Sequence, residues 1–211
     1  MLFDLDGTLL DTAPDFVLAL NALRVEEKLP HLAPAAIRPH VSHGSAALIR
    51  AGFEVASDDR DFERRRLRLL DLYAQVLAQA TVPFTGIEEV LTALEARGLP
   101  WGIVTNKPGW LTTPLLAALG LDQRAACIIS GDSTPRAKPY PDSLLAAARV
   151  LDICPADCLY VGDAERDIEA ARAAGMAVLV ALYGYIGADD HPELWGGDGA
   201  ITCARDLLAW L

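Results

Sequence analysis

The chain has 211 residues, of which 52% are hydrophobic and 22% charged, and its net charge is −11 at neutral pH. This apolar content excludes general disorder, because disordered chains lack the side chains that build a core. The length fits one or two domains. The acidic excess argues against nucleic-acid or membrane-surface partners, since both bind through basic surfaces.

The sequence predicts a cytoplasmic protein. Residues 1–7 contain no basic segment followed by a long apolar stretch, so no signal peptide is expected. The longest uncharged stretch in an apolar context, residues 173–188, is shorter than the roughly 20 residues of a spanning helix. The four cysteines lack the nearby histidines or second cysteine pair of a zinc site, and we interpret them as free thiols.

The first predicted element is a short strand ending at Leu2-Phe3, and residues 12–82 after it show no convincing strand pattern. Thr12 and Asp15 have the spacing of a capping box, with Thr12 as the N-cap of a helix. A long amphipathic helix is predicted over residues 61–80, and its run of arginines beside acidic residues indicates a solvated face. This helical segment therefore indicates an inserted second domain.

The rest of the chain alternates apolar strands with helices. Strands are predicted over residues 100–105, 127–130, 158–162 and 176–182, and helices over 110–119, 141–151 and 165–174. Continuous apolar strands between helices are typical of a parallel sheet that is covered on both faces. We therefore predict an α/β fold with a Rossmann-like parallel sheet, helices on both faces and an inserted α-helical domain.

Two carboxylates, Asp4 and Asp6, directly follow the first strand, with Gly7 and Thr8 after them. In open α/β sheets the ligand site lies at the carboxyl ends of the strands. One carboxylate there can attack phosphorus, and the other can pass a proton to the leaving oxygen. Gly7 permits close backbone approach, and Thr8 offers a hydroxyl and an N–H to phosphate oxygens. An ordinary Asp-Gly surface turn is the alternative interpretation.

Asp163 and Asp167 follow another predicted strand, one helical turn apart. If they converge with Asp4 and Asp6, the carboxylates repel each other and need a hard divalent cation. Oxygen ligands of this kind suit Mg²⁺. For Asp163 alone, the alternative is a helix N-cap.

Thr105-Asn106 ends a further strand, and Lys138 precedes a helix. The chain has fifteen arginines but only three lysines, and two of the three, Lys107 and Lys138, stand before proline at predicted sheet edges. A compact ammonium suits point-charge stabilisation of a phosphoryl group. We therefore predict that Thr105, Asn106 and Lys138 bind phosphate.

Taken in order, the motifs Asp-x-Asp-Gly-Thr, Thr-Asn, Lys-Pro and Gly-Asp-x-x-x-Asp resemble the four motifs of the haloacid dehalogenase superfamily of phosphotransferases. The resemblance covers essentially the whole chain. It implies a catalytic core formed by residues 1–11 and 83–211 and a helical cap domain formed by residues 12–82. It also implies Mg²⁺-dependent hydrolysis of a small phosphate ester.

The resemblance further implies a role for each motif residue. Asp4 is the nucleophile that forms an aspartyl-phosphate, and Asp6 is the general acid/base. Thr105 and Lys138 hold the transferring phosphoryl group. The implied Mg²⁺ ligands are Asp4, the backbone carbonyl of Asp6, Asp163 and, directly or through water, Asp167.

Within the superfamily, residues 101–108 and the segment from Tyr183 resemble phosphoglycolate phosphatases and, more narrowly, the N-acetylmuramic acid 6-phosphate phosphatases of cell-wall recycling. Residues 130–132 and Arg136 depart from the narrower branch. The candidate substrates are 2-phosphoglycolate and N-acetylmuramic acid 6-phosphate. A phosphomutase and a catalytically silent binding module on the same fold are the alternatives.

The helical cap is expected to set substrate choice. The residues predicted for this role are Ser42, His43, Gly44 and Arg50. Ordinary surface placement is the alternative for His43 and Arg50. The sequence leaves open whether the chain forms a homodimer.

Overall fold

The computed structural model describes residues 1–211. Its strands are β1 (Leu2–Phe3), β2 (Leu10–Asp11), β3 (Val82–Pro83), β4 (Gly102–Val104), β5 (Cys127–Ile129), β6 (Leu159–Gly162), β7 (Ala177–Ala181) and β8 (Gly199–Ile201). Its α-helices are α1 (Ala13–Glu26), α2 (Pro34–Ile37), α3 (Gly44–Phe53), α4 (Phe62–Gln75), α5 (Ile87–Ala96), α6 (Gly109–Ala118), α7 (Asp142–Leu151) and α8 (Glu165–Ala174). Short 3₁₀ helices span Arg38–His40, Pro155–Asp157, Pro192–Leu194 and Ala204–Trp210.

Six strands form one parallel sheet in the order β5-β4-β1-β6-β7-β8. Counted along the chain, this is the doubly wound order 3-2-1-4-5-6, in which the winding direction reverses at β1. Ligands of such sheets bind outside the carboxyl ends of the strands beside the reversal. The predicted parallel sheet is thus confirmed, and the reversal lies between the strands that precede the first and fourth motifs.

Helices cover both faces of the sheet, as the continuous apolar strands predicted. On β1, Phe3 packs towards α5 and α6, whereas Leu2 packs towards α7 and α8. On β6, Val161 and Tyr160 divide in the same way. This alternation follows from the two-residue period of a strand, and it buries both faces.

Between β2 and β3 the chain forms a helical insert, α1 to α4. The two strands pair antiparallel, with Leu10 opposite Pro83, so the chain leaves and re-enters the sheet region at one place. The insert has its own apolar cluster, in which the rings of Phe16 and Tyr73 stack with centroids 3.8 Å apart. No helix of the chain combines the length and apolar character needed to cross a bilayer.

Two local predictions in the insert are wrong. Thr12 is the N-cap residue of α1 as predicted, but its side chain makes no capping hydrogen bond, because its hydroxyl donates to Asp6 Oδ1 at 2.6 Å. Asp15 accepts hydrogen bonds from Thr81 Oγ1 and the Ala80 N–H instead of capping α1. The long helix predicted over residues 61–80, which is α4, ends at Gln75. The chain after it returns to the sheet and is held there by Asp15.

Elsewhere the predicted elements agree with the structure to within a few residues. The helix predicted over residues 165–174 has those bounds as α8, and Gly175 ends it with φ +74°. The prediction omitted α5, β8 and the pairing of β2 with β3. All four cysteines are free thiols, and Cys127 and Cys158 are buried.

Candidate active site

Three carboxylates meet where β1 and β6 end. Asp4 follows β1 and Asp163 follows β6, and the two strand ends are joined by a hydrogen bond from the Asp4 N–H to the Val161 carbonyl at 2.9 Å. Asp167 lies in the first turn of α8, where its carboxylate accepts the Ala164 N–H at 3.1 Å. Oxygens of Asp4, Asp163 and Asp167 lie within 4.8 Å of one another and all three residues are buried. Such a group could hold a metal ion.

Lys138 is the cation of this cluster. Its Nζ lies 2.9 Å from Asp4 Oδ1 and 2.7 Å from Asp167 Oδ1, and its side chain is fully buried. The ammonium also donates to the carbonyl of Val104 at 2.9 Å and to the hydroxyl of Tyr160 at 2.7 Å. These partners leave Lys138 little freedom, so its charge is fixed in place beside the nucleophile predicted from the first motif.

Burial and mutual repulsion determine the pKa values of the three carboxyls. Burial, with added repulsion from Asp4 and Asp167, raises the pKa of Asp163 to about 7. Burial and Asp167 also raise the pKa of Asp4. Burial opposes ionisation of Asp167 too, but Lys138 and Arg166 hold its pKa below the ordinary value. The cluster would therefore gain from a further cation.

Asp163 is held by groups from three segments. It accepts hydrogen bonds from Thr8 Oγ1 at 3.1 Å, Ser42 Oγ at 2.7 Å and the Tyr185 N–H at 2.9 Å. Gly7 has φ +91°, and a Cβ there would lie 2.1 Å from Asp163 Oδ2, so no side chain fits. Of the two residues that the sequence predicts to contact phosphate, Thr8 donates its hydroxyl to Asp163, and Gly7 lies close against the same carboxylate.

Asp6 points towards the helical insert and not into the carboxylate cluster. Its Oδ1 accepts hydrogen bonds from Thr12 Oγ1 and, at 2.9 Å, from Lys107 Nζ. The Lys107 ammonium lies 4.8 Å from the ring centroid of Phe16 and 4.5 Å from that of Tyr73. Burial disfavours the charged form of Lys107, but Asp6 and Tyr73 outweigh it and raise its pKa. Lys107 thus links the proposed acid/base to the insert.

A cavity of about 240 Å³ lies between the helical insert and the sheet. Six of the predicted site residues line this cavity: Asp4, Asp6, Thr105, Asn106, Ser42 and Gly44. Thr105 Oγ1 accepts the Lys107 N–H, which leaves its own hydroxyl hydrogen free to donate to a ligand. The Asn106 amide exchanges two hydrogen bonds with the Lys138 backbone, so it positions the lysine segment.

Two residues predicted for specificity lie outside this cavity. His43 and Arg50 line a separate surface depression, where His43 Nε2 is 3.8 Å from Asp190 and Arg50 donates to Ser57. Two arginines that the sequence reading did not assign to the site, Arg66 of α4 and Arg166 of α8, do line the cavity. The predicted solvated arginine face is thus only partly correct, because Arg66 also borders the cavity and the Arg65 side chain is only 15% exposed.

The missed residues carried weak signals at best. Arg166 stands inside the fourth motif, so its proximity to the carboxylates could have been inferred. The only signal at Lys107 is its position before Pro108 at a predicted sheet edge. Nothing in the local pattern separates Arg66 from its neighbours, because the separation depends on how α4 packs over the sheet.

Comparisons with known proteins agree with this geometry. A profile of the family described as Haloacid dehalogenase-like hydrolase matches residues 1–181. The N-acetylmuramic acid 6-phosphate phosphatase of Pseudomonas aeruginosa is 40% identical over 208 residues, covering 99% of this chain and 92% of that protein. The phosphoglycolate phosphatase of Xanthomonas campestris pv. campestris is 45% identical over 198 residues, covering 94% and 89%.

Solved structures show the same relationship. A crystal structure described as a predicted phosphoglycolate phosphatase from Haemophilus somnus 129pt has a TM-score of 0.86 and 28% identity, and the match covers 99% of this chain and 96% of that one. The family resemblance seen in the four motifs is thereby confirmed. The chain is an enzyme, a phosphatase that belongs to the haloacid dehalogenase-like hydrolase family.

Proposed function

We propose that this phosphatase hydrolyses small phosphomonoesters with Mg²⁺ through an aspartyl-phosphate on Asp4. The proposal is carried by the buried contact of Lys138 with Asp4 and Asp167 at the carboxyl ends of the strands. This contact lies beside a cavity that Asp4 and Asp6 both line. A nucleophile, a fixed cation and a second carboxylate are the groups that phosphoryl transfer to an enzyme residue requires.

The first half of the reaction forms a bond between an Asp4 oxygen and phosphorus and breaks the bond to the leaving oxygen. Asp6 supplies the proton that this oxygen needs. In the second half water attacks the phosphoryl group, Asp6 takes a proton from the water, and the Asp4–phosphorus bond breaks. Inorganic phosphate leaves and both carboxylates return to their starting forms. The Thr105 hydroxyl, which lines the cavity, donates to the phosphoryl oxygens, while Lys138, buried behind the cavity against Asp4, stabilises the charge that develops at the nucleophile.

The donor set fits Mg²⁺, because it consists of carboxylate oxygens, which hard cations prefer. Asp4, Asp163 and the Asp6 carbonyl would hold the ion, with Asp167 in support. When bound, Mg²⁺ would neutralise charge on the phosphate oxygens and offset the burial and the repulsion that raise the pKa of Asp163.

We also propose a two-domain division, with residues 1–11 and 83–211 as the core and residues 12–82 as a cap. The separate apolar cluster of the insert and the paired linker strands β2 and β3 support it. Because the cavity lies between the two parts, the cap would select the substrate. The relatives named above make 2-phosphoglycolate and N-acetylmuramic acid 6-phosphate the first substrates to compare by kcat/KM.

The decisive experiment replaces the nucleophile. We expect Asp4→Asn to lower Mg²⁺-dependent hydrolysis of p-nitrophenyl phosphate by at least about a thousandfold, since a nucleophile has no substitute in this site. Asp189→Asn, an exposed change, is the matched control. Near-normal turnover by a folded Asp4→Asn protein would contradict the mechanism.

A further inference from the structure

Arg66 differs from the other arginines of α4. Arg64, Arg65 and Arg68 form ion pairs with Glu27 and Glu26 at the C-terminal end of α1. Arg66 instead lines the cavity, in company with Leu70 one turn later on the same helix. Its position on α4 therefore brings one cation of the insert over the ligand space.

The present partner of Arg66 is easily displaced. Arg66 pairs with Glu63 on its own helix, with Nη2 to Oε1 at 2.6 Å and Nε to Oε2 at 2.8 Å. The Glu63 side chain is 62% exposed, whereas that of Arg66 is 29% exposed. Exposed ion pairs contribute about 0–1 kcal/mol, with bidentate pairs such as this one at the upper end, and a ligand carboxylate in the more enclosed cavity can offer the guanidinium the same two hydrogen bonds.

The other cations of the cavity are already committed to groups at the reacting end. Lys107 is paired with Asp6. Arg166 donates to the carbonyl of Ser42 and faces the charges of Asp167 and Asp4. Among the cations that line the cavity, Arg66 is thus the one whose acidic partner, Glu63, is largely exposed to solvent.

We propose that Arg66 is a specificity-determining residue that binds a carboxylate on the substrate, remote from its phosphate. This inference rests on the proposed function. The planar guanidinium offers two parallel N–H donors that match a carboxylate. Leu70 and Val41 add apolar wall to the same cavity, which suits a short carbon skeleton. The cavity, at about 240 Å³, is smaller than those that hold drug-sized ligands, and so also favours a compact ester.

The test uses pairs of esters in which one member carries a carboxylate and the other does not. One pair is 2-phosphoglycolate and 2-hydroxyethyl phosphate, and a larger pair is N-acetylmuramic acid 6-phosphate and N-acetylglucosamine 6-phosphate. For the pair that the enzyme hydrolyses, we expect Arg66→Ala to lower the ratio of kcat/KM, carboxylate over neutral ester, by about tenfold to a hundredfold, because a charged hydrogen-bonding partner is lost. The loss is expected mainly in KM.

Arg68→Ala, on the same helix but outside the cavity, is the control and should leave the ratio unchanged. Arg66→Lys should retain part of the preference. If the alanine variant fails to fold, the lysine variant takes its place in the test, with circular dichroism and thermal unfolding to show that its fold is intact. An unchanged ratio in either folded variant, or a wild-type enzyme without preference for the carboxylate, overturns the role of Arg66. Absence of any Mg²⁺-dependent turnover of p-nitrophenyl phosphate by the wild type would instead overturn the proposed function.

Discussion

The two buried Lys-Pro lysines have different surroundings, and these surroundings define different roles. Lys138 is enclosed by Asp4, Asp167 and the Tyr160 hydroxyl, all parts of the sheet side of the site. Lys107 lies between Asp6 and a ring of the insert, Tyr73. The first lysine balances the charge of the reacting groups, whereas the second joins the proposed acid/base to the part of the protein that covers it.

Lys138 should therefore be essential to the fold as well as to the chemistry. We expect Lys138→Met to lower the free energy of unfolding by about 3 kcal/mol, because it leaves two buried carboxylates without their cation. Denaturant unfolding at pH 8 without metal measures the change. Lys28→Met, at an exposed lysine, is the control and should change the stability by less than about 0.5 kcal/mol. Equal stability of the two variants would contradict this role.

Lys107 is expected to act through Asp6 as a positioning residue. In Lys107→Met the Asp6 carboxylate loses its ion pair, so proton transfer should suffer more than substrate binding. We expect kcat on p-nitrophenyl phosphate to fall by about tenfold or more with a smaller change in KM, since general acid–base catalysis contributes about 10²–10⁴-fold. Lys107→Arg should recover part of kcat. A variant that changes KM alone would contradict the positioning role.

At the scale of elements, the sequence predicts best where local signals decide. Helix α8 ends as predicted because Gly175 follows it in a left-handed conformation that other residues rarely adopt. The capping box at Thr12 fails because a partner distant in space, Asp6, takes the hydroxyl. The same holds for Arg66, whose place at the cavity depends on the packing of α4. A local sequence pattern cannot predict contacts between segments that are far apart in the sequence.

The loop after β7 connects the carboxylate cluster with β2, one of the two strands that lead into and out of the insert. The Tyr185 N–H donates to Asp163, while its hydroxyl donates to Asp11 at 2.8 Å and accepts the Ala13 N–H at 2.8 Å. Arg38 also stacks on the Tyr185 ring, 4.8 Å from its centroid. A single tyrosine therefore connects β6, β2 and the start of α1.

Removing that hydroxyl should weaken the junction without opening a large cavity. We expect Tyr185→Phe to lower the free energy of unfolding by about 1–3 kcal/mol, because the Ala13 N–H is left buried without its acceptor. Tyr140→Phe, at a half-exposed tyrosine, is the matched control. Thermal or denaturant unfolding measures both. If the two variants are equally stable, the hydroxyl does not hold the junction.

At the scale of the whole molecule, the net charge of −11 is a poor guide to the ligand. Many of the fifteen arginines are neutralised by nearby acids, as Arg64 is by Glu27, and so contribute little field at a distance. The cavity instead gathers Lys107, Arg66 and Arg166, and Lys138 lies behind it. The acidic surface disfavours polyanions, while these cations offset the carboxylates of the site and so keep the cavity from repelling a small phosphate ester.

The stability of the whole chain should depend on the cation that the carboxylate cluster accommodates. A ligand that binds only the folded state at 100 times its Kd adds about 2.7 kcal/mol, and for a chain of this size each kcal/mol shifts Tm by about 2–4 °C. We therefore expect saturating Mg²⁺ to raise Tm by about 5–10 °C, and Asp163→Asn to remove most of that rise. Asp189→Asn should keep it, and sodium chloride of equal ionic strength should not reproduce it. A rise that persists in Asp163→Asn would place the cation elsewhere, because Asp163 is the carboxylate with the fewest cationic neighbours and the most to gain from Mg²⁺.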